Sequence, residues 1–237
     1  MNPLYNLLHQ FRNLPLRVHW SVALFPLAMA WMWMIHDPGD FWGHLSFGFQ
    51  FSVLLYVAGV FPHELAHWAV GRGFGVKGRI TLVYGGGLWM PDDGEAFLDL
   101  SKGCQALIFL AGPAANFLIT FFSLYYQNHW SEFGQWVGSL GILNLWLGCV
   151  NLLPVVPLDG GRVFHLLLRA VPLKGWGMVG LSFLPVFGLG LPAWCWLLYH
   201  RIWLEVILVG LGLLFGCWVL WEERHRLLRR ERRTSYV

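Results

Sequence analysis

His63-Glu64-Leu65-Ala66-His67 sets two imidazoles and a carboxylate within five residues of an otherwise apolar stretch. On a helix, residues four apart share a face, so both imidazoles can reach one ion. Zn2+ accepts His nitrogens at about 2.0–2.1 Å, and two such donors are half of a tetrahedral site. Glu64, one residue on, is turned by about 100°. It misses the metal and can take a proton from a water beside it, the general-base role in hydrolytic metal sites. The spacing alone carries a false-positive risk. Three polar groups inside an apolar helix weigh against coincidence, because burying them there costs energy unless they are used or paired.

Two His leave such an ion needing a third protein ligand, with the fourth position open for water. Asp159 is the candidate. It follows Asn151-Leu152-Leu153-Pro154-Val155-Val156-Pro157-Leu158 and precedes Gly160-Gly161. The competing structural explanation is a cap on a short helix starting near Arg162. Pro154 and Pro157 are expected to stop the preceding helix, and non-helical backbone at membrane depth is tolerated only where protein buries it or it lines a wet cavity. Pro62, beside His63, removes one backbone hydrogen bond and is expected to kink its helix. Asn116 lies in Gly112-Pro113-Ala114-Ala115-Asn116. Small residues allow close helix packing there, and the amide suits a bond across an interface, with substrate contact as the alternative. Asn151 suits donation to an oxyanion or a substrate backbone, or interhelical bonding, equally well. Glu205 is explained by Arg201 four residues earlier, an ion pair at helical spacing.

The elements that must position these groups are membrane helices. Of the 237 residues 57% are hydrophobic and 12% charged, and the mean hydropathy is +0.53. A soluble domain carries about 25% charged residues, so a soluble globular enzyme is excluded. The pattern predicts an all-α polytopic membrane protein with about six transmembrane helices, at 18–35, 47–70, 103–126, 137–157, 177–199 and 202–221. A metalloprotease core is expected over 1–175, two additional spans over 176–221, and a basic cytoplasmic tail over 222–237. Ala28-Met29-Ala30 imitates a signal-peptidase site, but the apolar run continues past it through Trp31 and Met34. Cys104, Cys149, Cys195 and Cys217 lack a Cys-x-x-Cys spacing, so free thiols packed as small apolar side chains are expected.

Orientation follows from the basic residues. With both termini cytoplasmic, the inner side holds 15 of the 16 Lys and Arg, leaving only Arg201 outside, as the positive-inside rule requires. The second and fourth spans then both run inward, so residues 63–67 and Asp159 fall at comparable depth near the cytoplasmic surface. Residues 80–84 favour a strand, and Gly85-Gly86-Gly87 after them suits a hairpin or re-entrant bend following the second span. Such a strand offers an edge for pairing with an extended substrate; a plain surface hairpin is the alternative. The tail, with six Arg from Arg224 to Arg233, suits anionic headgroups. No nucleic-acid recognition fold accompanies it, and no nucleic-acid partner is expected.

His63-Glu64-Leu65-Ala66-His67, then Gly112-Pro113-Ala114-Ala115-Asn116, then Asn151-Leu152-Leu153-Pro154 with Leu158-Asp159-Gly160, stand in one order over roughly residues 55–165. The three motifs together resemble the site-2 protease family of intramembrane metalloproteases. The resemblance implies zinc held by His63, His67 and Asp159, with Glu64 activating water, and a site opening toward the cytoplasm. It implies substrates that are membrane-anchored proteins cut in or near their transmembrane helices, in regulated intramembrane proteolysis. It also associates Asn151 with substrate handling. Many members carry a PDZ or CBS domain; this chain has room for neither and resembles the minimal bacterial and archaeal plan, in a prokaryotic cell membrane.

Two other readings use the same residues. A metal transporter or sensor would hold the ion without hydrolysis, but a transporter shows polar groups at several depths along a path. A metalloprotease with a downstream Glu ligand would need Glu205, which lies toward the opposite face.

Overall fold

The structure is a computed structural model that describes residues 14–36, 39–127, 134–155 and 158–168. The chain divides into two compact units between Cys149 and Val150, each described by itself. The expected spans at 177–199 and 202–221, and the basic tail, lie outside the described residues.

The first unit is mostly helical. After β1 (Leu16–Val18) and a 3-10 turn (Trp20–Ala23) comes α1 (Leu24–His36), which packs along α2 (Phe41–Leu55). Asp40 caps α2, its carboxylate accepting the Gly43 N–H at 2.9 Å. Five residues of π-helix, Tyr56–Val60, join α2 to α3 (Phe61–Gly73) in one continuous helix of 33 residues. The helix ends where Gly75 takes a positive φ of 82° and Val76 N–H reaches back to the Gly71 carbonyl at 2.9 Å, a left-handed glycine cap. Next come β2 (Gly78–Val83), β3 (Gly86–Pro91) and the short α4 (Gly94–Asp99). Ser101 caps α5 (Lys102–Tyr126), which packs along α3. The fourth long helix is α6 (Gly134–Asn151).

Among the described residues two helices are long and apolar enough to cross a bilayer, 41–73 and 102–126. Lipid explains why so many large apolar side chains, such as Val57, Leu118 and Phe121, stay exposed on them.

Several expectations need correction. The chain is not purely α-helical. The strand expected at 80–84 is β2, and the hairpin expected after the second span is β2–β3, with Leu82 opposite Gly87. A third strand was not foreseen: β1 pairs parallel with β2, Arg17 opposite Thr81, giving the order β1-β2-β3. Three residues are too few to show alternation, and the last of them, Val18, falls inside the span expected at 18–35. That span therefore starts later than 18, with its α-helix beginning at Leu24. The second helix is longer than 47–70, and the fourth ends at Asn151 rather than 157.

The hairpin is fastened to the long helix. The Tyr56 hydroxyl donates to the Val83 carbonyl at 2.8 Å and accepts the Gly85 N–H at 2.7 Å. Gly85 takes the positive φ of the turn, 68°.

In the second unit the chain leaves α6, turns at 152–155, and enters α7 (Asp159–Leu168). A Cβ on Gly160 would overlap the Leu152 carbonyl and lie 2.7 Å from that of Leu153. Glycine is thus what lets the turn fold back onto the start of α7.

Candidate metal centre

α3 carries His63, Glu64 and His67, only 5%, 6% and 4% exposed. Spacing on one helical turn brings the two imidazoles together, with their Nε2 atoms 3.1 Å apart and ring planes at 82°. Each ring is aimed from behind. His63 Nδ1 lies 2.5 Å from Asn116 Oδ1, and His67 Nδ1 lies 2.6 Å from the Ile108 carbonyl oxygen. A carbonyl oxygen only accepts, so each Nδ1 carries the ring hydrogen and donates it. With both rings neutral, their Nε2 atoms present lone pairs toward the same point. Two lone pairs 3.1 Å apart repel unless something positive sits between them. An outer hydrogen bond on Nδ1 with Nε2 left bare is how metal-binding His is normally held, and this donor set fits zinc.

α5 leaves room for the ion. A Cβ on Gly112 would lie in contact with His67 Nε2 and 2.5 Å from His63 Nε2. Small residues at 112–115 were expected to serve helix packing; Gly112 also keeps clear the space in front of both donor atoms. Gly112→Ala is therefore expected to weaken zinc binding at least about tenfold, comparable to losing an outer partner, in a chelator competition assay. Unchanged affinity would move the metal away from α5.

Glu64 points elsewhere, toward β3. A Cβ on Gly87 would lie 2.5 Å from Glu64 Cγ and 2.9 Å from its Oε1. The third glycine of the run is thus explained by close approach of the strand to the carboxylate.

Asn116 is fully buried and its amide is committed. Nδ2 donates to the Gly59 carbonyl at 3.3 Å and to Asn144 Oδ1 at 2.7 Å, while Oδ1 faces His63. That leaves it an interhelical and histidine-orienting group rather than one turned to substrate. Asn144, equally buried, donates through Nδ2 to the Ala58 carbonyl at 3.1 Å and to Leu140 at 3.0 Å. Pro62 has no N–H for the carbonyl four residues back, which is Ala58, and Asn144 supplies a donor there. Sequence reasoning passed over Asn144, although a carboxamide deep in an apolar span was the signal that drew attention to Asn116 and Asn151.

Asp159 and Asn151 belong to the second unit. Asp159 opens α7, is 8% exposed, and stands where the helix dipole favours a carboxylate. Asn151 is half-buried at the end of α6. Among the described residues Cys104 and Cys149 are free thiols; Cys149 is exposed rather than packed.

A family model described as peptidase family M50 matches residues 125–175. The zinc metalloprotease MJ0392 of Methanocaldococcus jannaschii is 30% identical over 179 residues, 72% of this chain and 46% of the relative. The putative zinc metalloprotease Rip3 of Mycobacterium tuberculosis is 33% identical over 157 residues, 62% of this chain and 39% of the relative. The chain thus spans less than half the length of these two curated relatives. The solved site-2 protease from Methanocaldococcus jannaschii superposes with a TM-score of 0.55 at 26% identity, covering 89% of this chain and 91% of that one. Motifs, fold and relatives agree: the chain belongs to peptidase family M50, the family of the site-2 proteases.

Proposed function

We propose that the chain is an intramembrane zinc metalloprotease that hydrolyses peptide bonds in or near the transmembrane segments of membrane-anchored proteins. The observation that carries this is the pair of His63 and His67 Nε2 atoms, 3.1 Å apart, each ring backed by a carbonyl oxygen. His63, His67 and Asp159 are the proposed ligands. Zinc held there supplies a Lewis acid that polarises a peptide carbonyl and makes water a nucleophile near neutral pH. Glu64 is the proposed general base: its carboxylate takes the proton from the attacking water and returns it to the departing amine nitrogen. Asn151 is proposed to handle substrate, on the strength of the family resemblance.

A membrane helix hides its peptide bonds, so substrate must be held unwound. β3 is one of the two outer strands of the described sheet and lies on Glu64 through Gly87. An extended substrate added beside it would run about 5 Å away. Both termini are proposed to be cytoplasmic in a multi-pass prokaryotic cell membrane, with a core over 1–175, two further spans to 221 and the tail beyond. The basic-residue distribution supports that orientation. The metal-transport reading has no observation in its favour.

The test reconstitutes the purified chain with a membrane-anchored reporter helix. Cleavage is expected to stop on chelation and return with zinc. Cleavage indifferent to chelation would overturn the proposal.

A further inference from the structure

We infer that Asn144 is a positioning residue for the metal centre: through Asn116 it fixes which nitrogen of His63 carries the ring hydrogen and which turns its lone pair to the ion. The inference rests on the zinc reading given above.

The two ends of a carboxamide have nearly the same shape, and only the donor or acceptor character of the neighbours decides which way the group lies. Asn144 has that decision made by backbone. Its Nδ2 hydrogens meet the Ala58 and Leu140 carbonyls, which accept and cannot donate. Its Oδ1 is therefore turned to Asn116 and demands a donor there, which Asn116 Nδ2 provides at 2.7 Å. The second Asn116 hydrogen goes to the Gly59 carbonyl. Asn116 Oδ1 is left for His63 Nδ1. A polarity set by carbonyls of the α2–α3 helix and of α6 thus passes through two amides to one imidazole.

Reversing that chain has a chemical consequence. A flipped Asn116 would point N–H groups at His63 Nδ1, which would then have to accept. The ring hydrogen would move to Nε2, the atom proposed to bind zinc, and block it. Asn144 removes that possibility from a distance. Its described hydrogen bonds go to Asn116, Ala58 and Leu140, and it lies on a helix that contributes neither imidazole.

The neighbouring Thr120 offers a control. Its hydroxyl lies 2.9 Å from the Asn116 carbonyl and 3.0 Å from the Gly141 carbonyl, so it ties α5 to α6 without acting on either amide side chain.

The test measures zinc affinity by chelator competition, and the visible spectrum of the cobalt-loaded protein, for the wild type, Asn144→Leu, Thr120→Val and the double variant Asn144→Leu with Asn116→Asp. Asn144→Leu is expected to weaken zinc about tenfold, the lower end for loss of an outer partner, and to alter the cobalt spectrum. The double variant is expected to recover most of that affinity, because a carboxylate accepts from His63 Nδ1 whichever way it lies. Thr120→Val is expected to leave both readouts as in the wild type. Equal affinity and spectrum in Asn144→Leu would overturn the inference alone. So would an equal loss in Thr120→Val, or no recovery in the double variant, since either assigns the effect to helix packing. A wild type that binds neither ion would overturn the zinc reading itself and this inference with it.

Discussion

Glu64→Gln is expected to abolish turnover while zinc stays bound. Gln keeps the volume and the contact with Gly87 but cannot take a proton. General acid–base catalysis contributes about 10²–10⁴ in rate, and one group is asked both to deprotonate the water and to protonate the leaving amine. A loss at the upper end of that range is expected in cleavage of a reconstituted membrane substrate. The imidazoles, about 100° (His63) and about 60° (His67) away around the helix, keep their Asn116 and Ile108 partners, so metal analysis should give equal zinc in variant and wild type. Wild-type cleavage by the variant would remove Glu64 from the chemistry. Loss of zinc along with activity would make it a ligand instead.

Asp159→Ala is expected to strip the metal and with it all activity. Two imidazoles alone leave zinc short of the three protein ligands of a catalytic site, and affinity should fall by more than the roughly 10–100-fold typical for outer partners. The competing role predicts something quite different. A carboxylate that only favours the start of α7 contributes about 1 kcal/mol to stability, and its loss would lower the melting temperature with zinc unchanged. Metal content and thermal unfolding of the same preparation decide between them.

How legible these features were depended on the range of the interaction. The His-Glu-x-x-His spacing announces its geometry, because four residues on a helix fix the relation of the two rings. The hairpin was legible from β-branched residues followed by glycines. β1 was not, since its pairing with β2 joins positions more than sixty residues apart, and three residues carry no periodicity. Pro62 was expected to disturb its helix, but the form of the disturbance, a π-turn with a side-chain donor arriving from another helix, depends on packing. Asn144 was missed for a related reason: a lone amide in an apolar span declares that it needs a partner without naming one. The functions of Gly112 and Gly87 lie in the atoms they leave room for, and those belong to other elements.

The π-turn at Tyr56–Val60 has a consequence for the whole long helix. Relative to a regular α-helix it holds a surplus residue, and one residue is a rotation of about 100°. It works as a phase shifter: the stripe that α2 presents to α1 is not continuous with the stripe that α3 presents to α5. Deleting one residue there would let the helix run straight through and swing one half against the other. Either the paired imidazoles would turn away from Asn116 and Ile108, or α2 would lose its seat on α1. The imperfection in that helix is what allows one rod both to anchor in its bundle and to aim its donors.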